Sequence, residues 1–527
     1  MLPRYERLLH DGLLLAAERA PDKEALVTGD RRYSYAELLE TSLRLATALQ
    51  RRGLERGDRV CIYLENGLAA VAAIYGTLLA GGVMMVVNPQ TKADKLAYIL
   101  NDSEAAFLIT DGKLERTFGA ALPHVQGLRN VICSGSVADG AVEVIAWDSV
   151  LGDHPPSPER PGTIPSDLAA LIYTSGSTGN PKGVMMTHQS MVFTVGSLVE
   201  YIRLERDERI LNVLPLAFDY GLYQLFMAVH LGATLVLETS FSYPAVVLKR
   251  MAEEQVTVFP GVPTISATVL SLHNNGPLSF PSVRRVTNTA AHLPDDYVPK
   301  LSEIFPNALI YKMYGLTECK RVCYLEPELI ETKPGSVGKA MPGTEVFLRS
   351  EDDQAVAAGE PGILHVRGPH VMLGYWRQPE LSAHMLKEGR YPGERILCTH
   401  DYFKMDKDGF LYFVGRSDDI IKTRGEKVSP VEVENVLHAI AGVREAAVIG
   451  VPDDLLGESI QAFVALEEGV ALSERDIKRL CLSRLENFMA PKEVVILPEL
   501  PKTSNNKVRK KSLREMLATK TGPAAVR

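Results

Sequence analysis

A stretch rich in glycine and hydroxyl side chains, Tyr173–Val184, carries the strongest chemical signal in the sequence; it reads Y-T-S-G-S-T-G-N-P-K-G-V. Glycines let the backbone approach a ligand closely, while hydroxyls and a lysine supply hydrogen-bond donors and a positive charge. The residues with these properties are Thr174, Ser175, Gly176, Ser177, Thr178, Gly179, Lys182 and Gly183. Bare N–H groups, hydroxyls and a lysine in one loop favour the binding of a polyphosphate.

The loop is not a Walker A motif, because Gly183 follows Lys182 instead of preceding it. A flexible glycine–serine linker is the alternative interpretation of such a composition. Apolar residues Ala169–Ile172 lead directly into the loop and an apolar segment follows it. A phosphate-binding loop between ordered segments is therefore favoured over a linker.

A second group of chemically capable residues lies in Tyr311–Glu318, which reads Y-K-M-Y-G-L-T-E after an apolar strand. Tyr314 can stack on a purine, Thr317 can donate to a phosphate, and Glu318 can hold Mg²⁺, which prefers carboxylate oxygen. From these residues alone, a turn whose Thr-Glu pair opens a helix is the preferred interpretation.

Charged residues also cluster in three later segments. Asp401 follows the apolar strand Arg395–Cys398, the run Gly415–Lys422 contains Arg416 and Asp418, and the basic C-terminal segment contains Lys507. From the residues alone, an exposed loop explains the charges of Gly415–Lys422 equally well, and a solvated basic tail is the default interpretation of the segment that contains Lys507.

Taken together, these segments resemble the motifs of the adenylate-forming superfamily, which comprises acyl-CoA and aryl-CoA synthetases, amino-acid adenylation domains and luciferases. At least six motifs follow one another in the family's order, over effectively the full length. They include the loop Tyr173–Val184, Y-G-L-T-E at 314–318, G-R-S-D-D-I-I-K at 415–422, R-G-E-K-V-S-P at 424–430, and P-K-T-S-N-N-K at 501–507.

The resemblance implies a role for individual residues toward ATP. Asp401 would accept from both ribose hydroxyls, with His400 standing where the family has glycine, and Arg416 would bind ribose or phosphate. Ala290 and Ala291 would keep the backbone close to adenine. The loop containing Lys182 would hold the β- and γ-phosphates.

The resemblance also implies roles in catalysis and domain motion. Lys507 falls on the catalytic lysine, preceded by Asn506 in place of a glycine; asparagine tolerates left-handed backbone conformations. Asp418 would be the pivot between two domains, and Gly425 would line the pantetheine tunnel once the C-terminal domain has turned.

The implied chemistry follows from charge. A carboxylate is repelled by the α-phosphate of ATP, and a lysine between these anions, with Mg²⁺ on the phosphates, screens the repulsion and stabilises in-line attack. The expected product is an acyl-adenylate, with pyrophosphate as leaving group. A thiol then displaces AMP.

The identity of the acid is left open. By resemblance, the acyl pocket includes Phe218, Asp219, Tyr220 and Gly261. In amino-acid adenylation domains an aspartate after phenylalanine pairs with the substrate ammonium, a buried charge that needs a partner. The chain is therefore expected to be an acyl- or aryl-CoA synthetase using CoA or, alternatively, an enzyme that loads an amino or imino acid such as proline onto a carrier protein's phosphopantetheine.

Length and composition limit the class of protein and the partners that are possible. The chain has 527 residues with 46% hydrophobic and 23% charged residues, typical of a globular protein. A net charge of -8 disfavours nucleic acid as a partner. Six scattered cysteines indicate a reducing, cytoplasmic location.

Leu68–Val87 is about long enough to span a membrane, but glycines interrupt it, so a buried helix, a turn and a strand are predicted instead.

Alternating helix and strand patterns up to about residue 310 predict parallel sheets covered by helices. Short, glycine-rich strands after residue 330 predict a β-rich subdomain, and a new α/β pattern begins near residue 420. The sequence thus predicts an α/β fold: a large N-terminal adenylation domain over residues 1–417, and a small, mobile α/β C-terminal domain over residues 418–527.

Overall fold

The computed structural model describes residues 5–135, 144–152, 156–175, 180–416, 419–423, 426–453, 456–503 and 507–520. Within these ranges the strands are β1 Glu24–Thr28, β2 Arg31–Ser34, β3 Arg59–Tyr63, β4 Val83–Val86, β5 Ala105–Asp111, β6 Asn130–Ser134, β7 Val144–Ala146, β8 Leu168–Ser175, β9 Pro181–Thr187, β10 Arg209–Asn212, β11 Thr234–Leu237, β12 Val258–Gly261, β13 Arg285–Asn288, β14 Leu309–Tyr314, β15 Cys323–Leu325, β16 Ser336–Ala340, β17 Glu345–Arg349, β18 Pro361–Arg367, β19 Leu386–Glu388, β20 Arg395–Met405, β21 Leu411–Arg416, β22 Ile421–Thr423, β23 Glu426–Val428, β24 Val443–Asp453, β25 Gly457–Leu466 and β26 Glu493–Ile496.

The α-helices alternate with these strands. They are α1 Asp11–Arg19, α2 Tyr35–Arg51, α3 Leu68–Leu79, α4 Ala93–Asp102, α5 Glu115–Ala121, α6 Trp147–Gly152, α7 His188–Ile202, α8 Asp219–Leu231, α9 Pro244–Glu253, α10 Pro263–Asn275, α11 Tyr297–Ile304, α12 Pro379–Met385, α13 Pro430–His438, α14 Glu474–Leu482 and α15 Lys510–Lys520. Short 3₁₀ turns occur at Gly112–Leu114, Leu122–His124 and Pro327–Leu329.

One sheet has seven strands in the order β7-β6-β5-β3-β4-β8-β9. Its strands β3 to β8 pair in parallel, as predicted, whereas β8 and β9 are antiparallel. The predicted phosphate loop therefore connects two neighbouring antiparallel strands and does not open a helix.

The largest sheet has fourteen strands, and its hydrogen bonding changes from parallel to antiparallel along its length. Strands β10 to β14 pair in parallel. From β15 onward the pairs are antiparallel, and β16 joins β15 to β21. The predicted β-rich segment is thus present, and it continues the large sheet instead of standing apart from it.

The stretch Leu68–Val87 forms the buried helix α3, a turn and strand β4, as predicted. Gly81 makes the turn with a φ of 86°. No helix among the described residues combines the length and apolarity needed to cross a membrane.

A third, five-stranded sheet has the order β23-β22-β25-β24, with β26 beside β25. It carries two hydrophobic clusters of its own, one centred on buried residues such as Val433 and Ile477, and one on Phe463 and Leu513. Strand β21 is the last of the large sheet and β22 the first of the small one. The division at residues 417 and 418 stays a prediction, since both lie outside the described residues.

Candidate active site

A cavity of about 570 Å³ lies where the sheets and the C-terminal segment meet. It is lined by most of the described residues that the sequence predicts to act, namely Thr174, Lys182, Phe218, Asp219, Tyr220, Ala290, Ala291, Tyr314, Thr317, Glu318, Asp401, Arg416 and Lys507. Gly261 ends β12 and does not line the cavity. Of the remaining predicted positions, Gly176, Ser177, Thr178, Gly179, Asp418 and Gly425 lie outside the described residues, as does the side chain of Ser175.

The predicted phosphate-binding side is built on the β8–β9 hairpin. Thr174 and Lys182 are cross-strand partners, and both line the cavity. The Thr174 hydroxyl is buried and has no hydrogen-bond partner among the described residues. A buried hydroxyl without a partner is costly, so this group is available to a ligand oxygen.

Tyr375 connects this side of the cavity to Glu318. Lys182 Nζ donates to the Tyr375 hydroxyl over 3.1 Å and lies 4.3 Å from the centre of the tyrosine ring. The hydroxyl donates in turn to Glu318 Oε1 over 2.6 Å. The chain of contacts fixes the lysine and the carboxylate relative to each other.

Burial lowers the pKa of Lys182, and Arg416 lowers it further, while Glu318 opposes the shift. A phosphate near Lys182 would add negative charge and favour the ammonium form. Binding of an anion here would therefore stabilise the protonated form of Lys182.

Asp401 and Arg416 face each other across the antiparallel strands β20 and β21. Arg416 Nε lies 3.4 Å from Asp401 Oδ1, and the Tyr314 hydroxyl donates to Asp401 Oδ2. The Tyr314 ring stacks on Phe413 with a centroid distance of 5.9 Å. The predicted nucleoside-binding residues thus form one connected group.

Two residues next to this group have positive φ without being glycine. His400 has a φ of 56° and Ala290 a φ of 76°. The left-handed region favours glycine, which gives a physical reason for the glycine that the resemblance expects at position 400. The His400 ring stacks on His384, with centroids 4.5 Å apart.

Asp219 begins helix α8 and is buried, with 6% of its surface exposed. The neighbouring Tyr220 hydroxyl is held by the Thr287 carbonyl at 2.9 Å and by the Thr287 hydroxyl at 2.6 Å. Asp219 is the carboxylate that contributes most to favouring the charged forms of Lys320 and Lys507. Its negative charge therefore already faces cations of the protein.

Lys320 was not predicted from the sequence as a functional residue; it is fully buried and has a φ of 66°. Its Nζ donates to the Thr317 carbonyl over 2.9 Å. Burial lowers the pKa of Lys320 to about 8, against the attraction of Asp219 and Glu318. Lys320 consequently braces the loop that presents Thr317 and Glu318.

Two further residues, Arg321 in the lining of the cavity and Tyr375 behind it, were not predicted, and each left a signal in the sequence. Arg321 and Lys320 form a pair of cations within the otherwise apolar segment Cys319–Leu325, a pattern that indicates buried charge. Tyr375 belongs to an aromatic pair with Trp376 after a glycine. Nothing local in either pattern identifies the partner, because the contacts come from distant segments.

Lys507 reaches the cavity from the C-terminal part of the chain. Its backbone is held by Thr503, whose N–H donates to the Lys507 carbonyl over 2.8 Å and whose hydroxyl accepts from the Lys507 N–H at 3.2 Å. Residue Lys507 is exposed overall, but burial around its ammonium group lowers its pKa. Arg416 and Arg321 lower it further, while Asp219 and Asp401 oppose the shift.

The donor set suits Mg²⁺ bound jointly with a phosphate ligand. Glu318 supplies one carboxylate to the cavity, and the described residues contain no cluster of three or more histidine, cysteine, aspartate or glutamate side chains for a metal. Mg²⁺ is typically held by one or two carboxylates together with substrate phosphates and water. Glu318 fits that mode of binding.

Known proteins share both the sequence pattern and the fold. The sequence model of the protein family described as AMP-binding enzyme matches residues 14–376. The family model of the AMP-binding enzyme C-terminal domain matches residues 432–507. A long-chain-fatty-acid–CoA ligase of Bacillus subtilis is 32% identical, over 98% of this chain and 95% of that protein. A feruloyl-CoA synthase of an Amycolatopsis species is 31% identical, over 94% and 96%. The crystal structure of the anthranilate CoA ligase AuaEII with anthranoyl-AMP is 27% identical, has a TM-score of 0.90, and is covered over 99% of its length by 98% of this chain.

Proposed function

The chain belongs to the AMP-binding enzyme family of adenylate-forming enzymes, and we propose that it is an AMP-forming acid–CoA ligase. It activates a carboxylic acid with ATP, releases pyrophosphate and transfers the acyl group from AMP to the thiol of CoA. The observation that carries the proposal is the position of Lys507, which lines the same cavity as Lys182, Glu318 and Asp401.

Lys507 acts between the two anions that must react. Its ammonium screens the repulsion between the substrate carboxylate and the α-phosphate, and it stabilises the charge that develops during attack. The lowered pKa of Lys507 is reversed when two anions approach, because nearby negative charge favours the protonated form. The lysine is therefore charged when it is needed.

Thr174 and Lys182 bind the β- and γ-phosphates, the part of ATP that leaves. The unpartnered Thr174 hydroxyl and the anchored Lys182 ammonium support this role. Glu318 would hold Mg²⁺, which would supply positive charge to the phosphates.

Asp401 and Arg416 bind the ribose, and Ala290 and Ala291 lie against adenine. The support is their shared position along the cavity and the fixed Tyr314–Asp401 hydrogen bond. Thr317 donates to the phosphate side from the loop that Lys320 braces.

In the second half-reaction the CoA thiol attacks the acyl carbon and AMP leaves. The C-terminal domain turns about Asp418, which withdraws Lys507 and brings Gly425 toward the pantetheine. CoA is favoured over a carrier protein, because the two CoA-forming relatives match this chain over nearly their full lengths. The amino-acid alternative is not favoured by these relatives.

Product analysis with a panel of fatty, aromatic, dicarboxylic and amino acids tests the proposal. With ATP, Mg²⁺ and CoA, at least one acid should yield AMP, pyrophosphate and an acyl-CoA in equal amounts. Formation of ADP, or of AMP without any thioester, contradicts the assignment.

The Lys507→Ala variant tests the two half-reactions separately. It should reduce adenylate formation at least a thousandfold and leave the conversion of a preformed acyl-adenylate to acyl-CoA within about threefold of wild type. Lys511→Ala, at an exposed position of α15 outside the cavity, is the control and should change neither step. Equal loss of both steps in Lys507→Ala contradicts the role of Lys507.

A further inference from the structure

Arg321 is a buried cation without an ion pair. Only 3% of its surface is exposed, and no carboxylate of the described part of the chain lies within salt-bridge distance of its guanidinium. Nη1 donates to the Lys320 carbonyl over 2.8 Å, whereas the buried Nε has no partner among the described residues. Burying a guanidinium is costly unless an anion or several acceptors satisfy it.

The guanidinium has a fixed platform inside the cavity. Its Cζ lies 4.8 Å from the ring centre of Tyr220, and both residues line the cavity. The Tyr220 hydroxyl is held by two oxygens of Thr287, so the ring cannot move away. Stacking on an aromatic ring orients the planar fork of an arginine and leaves its edge for a carboxylate.

Two further cations lie near Arg321. Its charge lowers the pKa of Lys320 and that of Lys507. Glu318 accepts from the Tyr375 hydroxyl, and no carboxylate of the described residues forms an ion pair with Arg321.

The residues around Arg321 belong to the acid side of the cavity. Its positive charge favours the ionised forms of Tyr201, Tyr220 and Tyr223, so these phenols lie close to the guanidinium. All three are buried. The guanidinium is placed on this side of the cavity by its approach to the Tyr220 ring at 4.8 Å.

We infer that Arg321 determines substrate specificity by binding a second carboxylate of the acid, remote from the one that is adenylated. The substrate class is then a short dicarboxylic acid, and not an unsubstituted fatty acid. The cavity of about 570 Å³ is shared by nucleotide and acid, which agrees with a short acid. The inference rests on the proposed ligase function.

Matched acids test this directly through pyrophosphate release. Each dicarboxylic acid is compared with the monocarboxylic acid of equal length and with its own monomethyl ester, which keeps the shape and removes the charge. Wild type should favour the dicarboxylic acid at least tenfold in kcat/KM over both partners. A preference for the uncharged partners overturns the inference.

The Arg321→Met variant should lower kcat/KM for dicarboxylic acids at least tenfold, mainly through KM, and leave monocarboxylic acids within about threefold of wild type. Arg321→Lys should retain part of the preference, because it keeps the charge and loses the fork. Arg377→Met, at an exposed position paired with Glu104, is the control. A loss in kcat that is equal for all acids would place Arg321 at the reacting carboxylate and overturn the inference.

Two failures are distinguishable. If no acid yields AMP, the ligase function itself fails, and the inference fails with it. If AMP forms but the preference does not depend on the second carboxylate, only the inference fails. If Arg321→Met does not fold, the comparison of matched acids with the wild type and with Arg321→Lys still tests whether Arg321 binds the second carboxylate.

Discussion

The phenolic hydroxyl of Tyr375 donates to Glu318 Oε1 over 2.6 Å, although 57 positions separate the two residues in the chain. Burial and the adjacent carboxylate raise the pKa of Tyr375, so the phenol remains a donor at neutral pH. The oxygen of the Tyr375 hydroxyl also accepts a hydrogen bond from Lys182 Nζ. One hydroxyl thus sets the distance between the predicted Mg²⁺ ligand and the predicted phosphate-binding lysine.

Tyr375→Phe should therefore lower kcat/KM for ATP by roughly tenfold to a hundredfold, since a hydrogen bond to a charged group contributes about 1.5–3 kcal/mol. The Mg²⁺ concentration needed for half-maximal activity should change with it. Steady-state kinetics at varied ATP and Mg²⁺ measure both. Tyr324→Phe removes a similar bond to Glu326 at 2.8 Å outside the cavity and should leave both values unaltered; equal effects of the two variants would contradict the role of Tyr375.

Lys320→Met should lower kcat for adenylation at least tenfold, because Thr317 loses the bond that fixes its carbonyl. The thermal midpoint should also fall, because the variant removes the cation that faces the buried Asp219 and Glu318. Differential scanning fluorimetry and pyrophosphate release measure the two effects. A large loss of stability with unchanged kcat would assign Lys320 a structural role only.

His400→Gly should raise the free energy of unfolding by about 0.5–1 kcal/mol, because glycine adopts the φ of 56° at this position without steric cost. The change also removes the stacking on His384. His384→Ala removes the same stacking and keeps the backbone strain, so it should only destabilise. Urea denaturation compares the two variants, and a His400→Gly protein less stable than His384→Ala would show that strain at His400 is negligible.

Acid should weaken the fold through the buried pair His10 and His188. Burial lowers the pKa of His10 to about 4 and that of His188 to about 3, while Asp11 and Asp167 oppose the shifts. The unfolded chain binds protons near pH 6.5 and the folded chain only near pH 4, so stability falls as the pH drops through this window. The expected loss is about 1.6 kcal/mol per histidine between pH 6.5 and 5.

Thermal midpoints from pH 7.5 to 4.5 check this dependence. His10→Gln stays neutral and should flatten the curve, even if its midpoint at pH 7.5 is lower. His124→Gln changes an exposed histidine and should follow the wild-type curve. Parallel curves for all three proteins would show that the buried pair does not govern the acid response.

The sequence alone determined the fold class and the order of the motifs, because both depend on local patterns. Alternating apolar periodicities predicted the parallel sheets, and the buried helix and strand in Leu68–Val87 are present as predicted. Glu318, Asp401 and Lys507 were recognised from short motifs, and all three line one cavity. Their separate roles remain proposals.

Only the tertiary structure decided which side chains meet. Lys182 and Tyr375 lie 193 positions apart, and no periodicity links segments at that distance. In the sequence, Arg321 is only a cation in an apolar segment. In the structure it lies over the Tyr220 ring, and no carboxylate of the described residues pairs with it. The free energy of a charge depends on burial and on partners brought together by the sheets, and neither quantity can be read from neighbouring residues.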